Sequence, residues 1–373
     1  MKVLILTNSD WGTYRFRRQL MEALLARGYS VTLGCPCGPY AAKLAALGVK
    51  VSPLSVDRRG CDPLADAALF FSCRALMRRE KPDAVFTFTV KPNIYGALAA
   101  RSLSIPCVAT VTGLGSALGK PGPLQALLIF LYRSAFRRVD SVFFQNSADR
   151  SFFQKHGIPC GTSRLVAGSG VDVEGYPFQS MPEQSDMVFL FAGRILREKG
   201  IVEFIEAARM VKDRHPGTRF LVAGPLEDDS LGALISEAQG KGVITSCGFV
   251  DDMRACYAQA HCTVQPSYYP EGMSNVLLES AASGRAVIST GRPGCGEAVE
   301  DGVSGFLVWE RDAASLADAM ERFLALPLEA RAAMGLAARR RMERLFDRRT
   351  VTAAYLDMLD TLMAGPEDER HGL

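Results

Sequence analysis

The sequence predicts an α/β protein made of two consecutive doubly wound domains, and two observations support this. At 373 residues the chain is too long for one ordinary hydrophobic core. Short β-rich runs alternate with helical stretches in two separate sets, which is typical of βαβ units around a parallel sheet. With 48% hydrophobic and 22% charged residues, the composition is that of a folded globular protein.

The first alternating set predicts an N-terminal domain over residues 1–170. Each β-rich run is four or five residues long and is followed by a stretch with helical periodicity. The predicted strands are 3–7, 30–33, 49–53, 84–88, 107–111 and 141–144, and the predicted helices include 15–27, 63–79 and 93–103.

The second set follows a linker predicted at 171–186, where the periodicity fades and prolines interrupt the chain. It predicts a domain over 187–345 and a last segment, 346–365, that crosses back to the first domain, with a frayed tail after it. Two such domains leave a cleft at the carboxyl ends of their strands, where ligands bind in doubly wound folds. The predicted strands are 187–192, 219–222, 243–245, 262–265, 286–290 and 305–308, and the helices are 201–214, 231–239, 253–260, 275–283, 314–325, 328–345 and 350–364.

Charge and cysteine usage exclude several classes of protein. The net charge of +3 gives no reason to expect a nucleic-acid partner. The ten cysteines have no metal-binding spacing, since Cys35 and Cys37 are too close and no second pair with histidines follows. No secretory signal is recognisable before the first strand, so we expect a reducing cytoplasm.

One apolar stretch, 124–132, is followed at once by Arg133, Arg137 and Arg138. It is too short to span a bilayer, which takes about 18 apolar residues. Either it is a core helix with a basic end that suits the helix dipole, or it lies in the plane of an anionic membrane. The sequence favours peripheral contact with an anionic membrane surface, because other arginine clusters also occur in the first half.

The most informative segment is 270–279, which carries Glu271 and Glu279 eight residues apart. Ser274 and Asn275 can cap a helix that begins there, which places both carboxylates near its positive end. Such a site suits a ligand rich in hydroxyls and phosphates. The alternative is a capped surface helix with two solvated acids.

A second segment, 191–200, places a strand-end glycine before two cations, Arg194 and Lys199. That arrangement is suited to a diphosphate, and the alternative is a solvated charged loop. A third segment has three glycines within 291–296, followed by Glu297, which lets the backbone approach a ligand closely. No Ser-His-Asp or Cys-His arrangement is found, and no GxGxxG follows the first strand, which disfavours a dehydrogenase.

Together these three segments resemble the retaining nucleotide-sugar glycosyltransferases of the GT4 family, which have the GT-B fold of two Rossmann-like doubly wound domains facing a central cleft. The resemblance implies that Arg194 and Lys199 hold the donor diphosphate and offset the charge of the leaving nucleotide. It also implies that Glu279 binds the ribose and Glu271 the transferred sugar, with the configuration retained and no metal required. Glu271, Arg194 and Lys199 are the implied catalytic residues, and the implied donor-binding residues are Glu279, Gly193, Gly248, Phe249, Val250, Gly272, Met273, Ser274, Asn275 and Gly12.

The first half is similar to transferases that extend undecaprenyl-diphosphate-linked sugars, in the segments 89–96 and 110–116. It departs from many of them where Gly12-Thr13 replaces Gly-Gly and where no matching histidine is found. Residues 15–18 either reach the acceptor diphosphate or form a membrane-facing helix face. The implied acceptor residues are Asn8, Asp10, Arg15, Lys91, Asn93, Thr112 and Gly113.

The sequence therefore predicts a retaining, metal-independent glycosyltransferase that needs no cofactor beyond its UDP-sugar substrate. It would move a sugar, an N-acetylhexosamine, to an undecaprenyl-diphosphate-linked saccharide in bacterial glycan assembly. We expect it in the cytoplasm, peripheral on the inner face of the cell membrane. The alternatives are a transferase with a soluble or other lipid acceptor and a catalytically silent nucleotide-sugar-binding protein.

Overall fold

The structure is a computed structural model that describes residues 1–57, 60, 62–183 and 186–364. The chain divides into two compact units. The first unit comprises Met1–Ser169 together with the segment that begins at Arg348, and the second comprises Gly170–Asp347. The predicted frayed tail, 365–373, lies outside the described residues.

The first unit is built on a seven-stranded parallel sheet in the order β3-β2-β1-β4-β5-β6-β7. Its central strands are buried along their whole length, as expected when helices cover both faces of a sheet. The strands are β1 (Lys2–Leu6), β2 (Ser30–Cys35), β3 (Lys50–Pro53), β4 (Ala84–Phe88), β5 (Cys107–Val111), β6 (Ser141–Phe144) and β7 (Thr162–Leu165).

The second unit is built on a six-stranded parallel sheet in the order β10-β9-β8-β11-β12-β13. In both sheets the strand order reverses beside the first strand, so each unit is doubly wound and has a switch point at the carboxyl ends of two strands. The strands are β8 (Val188–Ala192), β9 (Arg219–Ala223), β10 (Thr245–Gly248), β11 (Cys262–Gln265), β12 (Ala286–Thr290) and β13 (Gly305–Val308).

Helices connect the strands in both units. A π-helical turn, Pro92–Gly96, leads into the fourth helix, and a 3₁₀ turn, Arg197–Lys199, precedes the eighth. The helices are α1 (Asp10–Ala26), α2 (Ala41–Ala45), α3 (Pro63–Glu80), α4 (Ala97–Ser102), α5 (Gly115–Gly119), α6 (Pro123–Ala135), α7 (Ser147–Lys155), α8 (Ile201–Arg214), α9 (Gly232–Gly240), α10 (Arg254–Gln259), α11 (Asn275–Ala282), α12 (Ala313–Ala325), α13 (Leu328–Leu345) and α14 (Arg348–Ala364).

The last helix, α14, completes one face of the first unit's core. Tyr355 is 1% exposed and stacks on Phe143 of β6, with 4.5 Å between the ring centroids. Its hydroxyl shares a hydrogen bond of 2.8 Å with the hydroxyl of Thr110 on β5. The buried side chains Val351, Met358 and Leu359 belong to the same cluster. Residues from both ends of the chain therefore form this core.

The prediction of two doubly wound α/β domains is confirmed, and the differences are local. Helix α1 begins at Asp10, five residues earlier than predicted, because Ser9 caps it by accepting from the Gly12 amide (3.1 Å). The segment 171–186, predicted as a linker, lies in the second unit, where the Val171 amide donates to the Phe346 carbonyl (2.8 Å). The partly exposed edge strand β7 has no apolar run that would have predicted it.

Candidate functional site

The turn after β8 carries the two predicted cations. Gly193 follows the strand with a φ of 124°, a conformation that favours glycine. Arg194 lies just beyond it, with its Nη1 3.3 Å from Oε2 of Glu227. Lys199 ends the 3₁₀ turn, and Gly200 follows with a φ of 82°, where an added Cβ would be 2.3 Å from the Pro266 carbonyl oxygen. Glycine at 200 is therefore required to bring Lys199 to the start of α8.

Lys199 and Glu271 form an ion pair between Nζ and Oε1. Only 8% of the Lys199 side chain and 12% of the Glu271 side chain are exposed. The ring of Tyr269 lies under both cations, with its centroid 5.1 Å from Cζ of Arg194 and 5.5 Å from Nζ of Lys199. The structure thus brings together the three residues predicted to be catalytic.

The ammonium of Lys199 is easily deprotonated. Burial away from water and the neighbouring Arg194 charge lower the pKa of Lys199 to about 7, from an ordinary value of 10.5. An anion between Arg194 and Lys199 would favour the charged form of the lysine, because it relieves the repulsion between the two cations. The electrostatics of this turn therefore suit a phosphate or diphosphate.

Helix α11 begins at Asn275 and has Ser274 at its N-cap, but Ser274 does not cap it with its side chain. The Ser274 hydroxyl instead donates to Oε1 of Gln265, the last residue of β11. The amide Nε2 of Gln265 donates to the Ala192 carbonyl (3.0 Å) at the end of β8. The prediction of a side-chain cap at Ser274 is therefore wrong, and the serine links the start of α11 to two strand ends instead.

Glu279 lies one turn into α11 and is 6% exposed. The hydroxyl of Tyr257 donates to its Oε2 over 3.2 Å. Neither Glu279 nor Glu271 is a solvated surface acid, so the alternative of a capped surface helix does not hold. The neighbouring residues Gly272, Met273 and Ser274 are buried, and Asn275 is half-buried.

The glycine-rich loop after β12 packs against the Glu271 loop. Gly294 has a φ of 86°, and an added Cβ would be 2.7 Å from the Glu271 carbonyl oxygen. Its carbonyl accepts from the Ser274 amide (2.7 Å), and its amide donates to Oε2 of Glu297 (2.7 Å). These contacts hold the Glu271 loop in place, and the predicted close approach of the backbone to a ligand stays a prediction.

The segment 248–250, whose three residues are implied to bind the donor, follows β10. Gly248 has a φ of 64°, and its carbonyl accepts from the Gly224 amide (2.8 Å) at the end of β9. Phe249 is 59% exposed and Val250 is half-buried. An exposed aromatic ring at the carboxyl edge of a parallel sheet is available for stacking.

Asp10 and Asn93, two of the predicted acceptor residues of the first unit, make hydrogen bonds that hold the carboxyl edge of the sheet. The carboxylate of Asp10 accepts from the backbone amides of Trp11 (2.8 Å), Gly38 (2.9 Å) and Tyr40 (2.9 Å). Asn93 is fully buried and joins β4 to β5, since it accepts from the Thr87 hydroxyl (2.8 Å) and donates to the Thr110 carbonyl (2.8 Å). Both side chains organise the carboxyl edge of the sheet, and direct contact with an acceptor stays a prediction.

The other predicted residues of this unit lie near the same edge. Lys91 pairs with Asp66 over 2.7 Å. Arg15 is half-buried, and its carbonyl accepts from Arg348 (3.1 Å). Asn8 and Gly12 lie at the start of α1, while Thr112 and Gly113 follow β5.

Residues 15–18 do not form one membrane-facing helix face. Arg17 is 6% exposed and points into the unit, with Cζ 4.3 Å from the ring centroid of Phe88. The buried face of α1 runs Asp10, Thr13, Arg17, Leu20, which is the helical spacing. The alternative of a membrane-facing helix face is therefore wrong for Arg17.

Sequence reasoning missed Tyr269, Gln265 and Glu227, which support the cations and the start of α11. Tyr269 stands two residues before Glu271, so an aromatic residue next to a candidate carboxylate was an available signal. Gln265 was also visible, as a polar residue ending a predicted buried strand. Nothing in the sequence marked Glu227, because its contact with Arg194 joins residues 33 positions apart.

Within 1–57, 60, 62–183 and 186–364, no group of three or more His, Cys, Asp or Glu side chains is placed to hold a metal ion. In the same part of the chain, no helix has both the length and the apolar character needed to cross a bilayer.

Two family matches together cover most of the chain. Residues 12–167 match the family described as Glycosyl transferase 4-like domain. Residues 172–341 match the family described as Glycosyl transferases group 1. The boundary between the matches falls close to the boundary between the two structural units.

Curated relatives are similar over most of their length. The N,N'-diacetylbacillosaminyl-diphospho-undecaprenol alpha-1,3-N-acetylgalactosaminyltransferase of Campylobacter jejuni is 26% identical over 381 residues, covering 97% of this chain and 99% of its own. The UDP-Gal:alpha-D-GlcNAc-diphosphoundecaprenol alpha-1,3-galactosyltransferase of Escherichia coli is 24% identical over 279 residues, covering 71% and 72%.

Solved structures agree on the fold. The crystal structure of Anabaena HepE in complex with UDP and glucose has a TM-score of 0.79 to this chain and 18% identity, covering 97% of this chain and 100% of that one. At that identity the similarity concerns the fold alone. With both family matches and these relatives, the chain belongs to the GT4-type glycosyltransferases of the GT-B fold, with a 4-like domain followed by a group 1 domain.

Proposed function

We propose that this glycosyltransferase moves an N-acetylhexosamine from its UDP-sugar to an undecaprenyl-diphosphate-linked saccharide, with retention of the anomeric configuration and without a metal ion. The observation that carries the proposal is the cluster of Lys199, Glu271, Arg194 and Tyr269 at the start of α8. The relatives whose names specify diphospho-undecaprenol acceptors support the acceptor class.

Lys199 and Arg194 are the groups that would bind the donor diphosphate. The guanidinium offers a planar fork of donors and the ammonium a compact charge, and both bind phosphate oxygens well. When the bond from the anomeric carbon to the diphosphate breaks, negative charge grows on the leaving oxygen, next to these cations. Stabilising that charge is the main contribution that we assign to the protein, and it needs no metal ion at this position.

The glutamates would bind hydroxyl groups on the two sides of the diphosphate. Glu279, oriented by Tyr257, would accept from the ribose hydroxyls. Glu271 would exchange part of its ion pair with Lys199 for hydroxyls of the transferred sugar. The acceptor oxygen would bond to the anomeric carbon on the face that the diphosphate leaves, and its proton would pass to the departing phosphate oxygen.

A lipid-linked acceptor requires access to a membrane, and two helices of the first unit suit an anionic surface. On α6, Leu127 is 52% and Phe130 67% exposed, and the exposed Arg133 follows one turn later. On α3, Leu64 is 81% and Phe71 63% exposed, with exposed arginines at the end of the helix. Apolar side chains followed by arginines are typical of helices that lie in the membrane interface. We therefore propose peripheral binding to the inner face of the cell membrane.

The proposal is tested by incubating the purified chain with a panel of UDP-sugars and a short-chain polyprenyl-diphosphate sugar, with EDTA present. Product mass identifies the donor, and NMR of the new anomeric proton identifies the linkage. Transfer of an N-acetylhexosamine in the α configuration from an α-linked donor is the expected result. Transfer only to soluble saccharides would contradict the acceptor assignment, and UDP binding without transfer to any acceptor would contradict catalysis.

A further inference from the structure

Three polar side chains lie at the carboxyl edge of the first unit's sheet, and two of them have a buried atom without a hydrogen-bond partner. The guanidinium of Arg17 has no hydrogen bond or ion pair within the described part of the chain, although the residue is 6% exposed. Gln145 is 5% exposed, and its Nε2 has no hydrogen-bond partner there. The same holds for the buried Oγ1 of Thr89. Buried polar groups nearly always have partners, so the two unpaired atoms, Nε2 of Gln145 and Oγ1 of Thr89, need an explanation.

The topology places these three groups along the carboxyl edge of one sheet. Thr89 follows Phe88, the last residue of β4, and Arg17 lies over the Phe88 ring at 4.3 Å. Gln145 follows Phe144, the last residue of β6, and strand alternation puts it on the same face as Phe143. Strand β5 lies between β4 and β6, so their ends are about 10 Å apart.

Tyr355 connects the two sides of this edge. Its ring stacks on Phe143 beside Gln145, and its hydroxyl hydrogen-bonds Thr110 near the end of β5. Tyr355 also interacts electrostatically with Arg17, while burial away from water lowers the pKa of Arg17. A guanidinium stays protonated in proteins, and no carboxylate of the described residues balances the charge of Arg17.

All three groups can donate hydrogen bonds. A guanidinium and an amide Nε2 can only donate hydrogen bonds, and a threonine hydroxyl can donate as well. A ligand that satisfies them must be rich in acceptors and negatively charged. Leaving a cation buried without such a partner is costly, and a bound anion would repay that cost.

The backbone supports a functional explanation. Thr89 has a φ of 74°, which is an outlier for a β-branched residue. Strain of this kind persists where the surrounding structure holds a functional group in place. Here it lies at the carboxyl ends of β4 and β1, the switch point of the sheet, where doubly wound folds bind ligands.

We propose that Arg17, Gln145 and Thr89 form a binding site for the diphosphate of the polyprenyl-diphosphate acceptor. The inference rests on the proposed function and adds to it the protein groups that recognise the acceptor's charged part. Because the donor also carries a diphosphate, the experiment must separate the two sources.

The test is calorimetric titration of geranyl diphosphate into the full chain presaturated with UDP, which occupies the donor site. Geranyl monophosphate and geraniol serve as probes that lack part or all of the diphosphate. We expect Arg17→Met and Gln145→Leu each to weaken geranyl diphosphate binding at least about tenfold, as for loss of a charge-assisted hydrogen bond. UDP affinity should stay at the wild-type value in both variants.

A matched control is Arg27→Met, which removes the same charge from the C-terminal end of α1, where Arg27 pairs with Asp360 on the surface. It should leave geranyl diphosphate binding unchanged. Arg17→Lys keeps the charge without the planar fork and should give an intermediate affinity.

Thermal unfolding of the same variants distinguishes a binding role from a structural one. If Arg17 serves the ligand, replacing an unpaired buried charge by methionine should leave the melting temperature equal or higher. A lower melting temperature with intact geranyl diphosphate binding would overturn the proposal, since it would assign Arg17 to packing on Phe88. Loss of UDP affinity in Arg17→Met, with geranyl diphosphate binding retained, would overturn it in favour of the donor.

Failure of the proposed function has a different signature. If the wild-type chain binds UDP but not geranyl diphosphate, the acceptor site is wrong and the donor assignment stands. If the wild-type chain binds geranyl diphosphate with the expected losses in the variants but does not bind UDP, the donor assignment is wrong and the acceptor site stands.

Discussion

Lys199 and Glu271 come from loops 72 residues apart, and each neutralises the other in a position almost shielded from water. Neither residue has a simple structural reason to be charged there, because a buried ion pair contributes little net stability compared with an apolar pair. A charge pair that can open to admit an anion on one side and hydroxyls on the other is instead a feature of a binding site.

Removing one member of this pair should destabilise the fold more than removing both. Lys199→Met leaves the Glu271 carboxylate without its cation, and we expect the free energy of unfolding to fall by about 3 kcal/mol. The double variant Lys199→Met/Glu271→Leu should recover part of that loss. Urea unfolding of wild type, the two single variants and the double variant gives the coupling energy between the two residues. If the two single losses simply added in the double variant, the residues would not be coupled. Turnover should fall by about a hundredfold in Lys199→Met.

UDP binding should take up a proton at pH 8. The pKa of Lys199 is about 7 in the free protein, so its amine is mostly neutral at pH 8, and a diphosphate favours the charged form. Affinity should therefore fall as the pH rises from 7 to 9. Calorimetry in two buffers of different ionisation enthalpy measures the uptake. Lys199→Arg, which stays charged, is the control that should abolish it, and equal heats in both buffers for the wild type would refute the assignment.

Nucleotide affinity should depend on Glu279 and on the tyrosine that orients it. Glu279→Ala should raise the dissociation constant for UDP about tenfold, since an acceptor of two ribose hydroxyls is lost. Tyr257→Phe removes only the hydroxyl that donates to Glu279 and should give a smaller effect. Deoxyuridine diphosphate, which lacks one ribose hydroxyl, should bind wild type and Glu279→Ala with similar affinity. If Glu279→Ala still preferred UDP to deoxyuridine diphosphate as strongly as wild type does, Glu279 would not be a ribose-binding residue.

Two glycines of one loop offer a matched pair. Gly294→Ala forces a positive φ on alanine and places a Cβ 2.7 Å from the Glu271 carbonyl oxygen, so it should cost about 1–2 kcal/mol or more and displace Glu271. Gly291→Ala meets nothing within 4 Å and should be close to neutral. Unfolding free energies and turnover measure both effects. Wild-type turnover in Gly294→Ala would show that the loop does not position Glu271.

The membrane surface is tested by flotation with anionic vesicles. Neutralising Arg133, Arg137 and Arg138 to glutamine should weaken binding by about 1 kcal/mol for each arginine near the surface. Phe130→Ser should weaken it through lost burial of an exposed apolar side chain. Neutral phosphatidylcholine vesicles are the control that should bind wild type and variants equally weakly. Undiminished flotation of both variants on anionic vesicles would exclude α6 as the contact.

The sequence was sufficient for elements that carry an apolar run with clear ends, such as β4 and α8. It was not sufficient where a short polar contact decides the structure. Helix α1 is an example, because the cap at Ser9 starts the helix five residues before the helical pattern of apolar residues begins. The pairing of Glu271 with Lys199 was not predictable, although both residues were singled out, because spacing along the chain does not report distances between loops. Arg17 shows the same limit, since its burial depends on Phe88 and Tyr355, which are remote in sequence.

The return of α14 to the first unit also bears on how the chain acquires its structure during synthesis. Translation produces residues 1–169 first, yet Val351, Tyr355, Met358 and Leu359, which cover one face of their sheet, are made only after the whole second unit. That face is consequently open to solvent while the second unit emerges from the ribosome and folds. The unit that is synthesised first is thus the last to be finished, and its uncovered strands expose apolar surface that is prone to aggregation in the meantime.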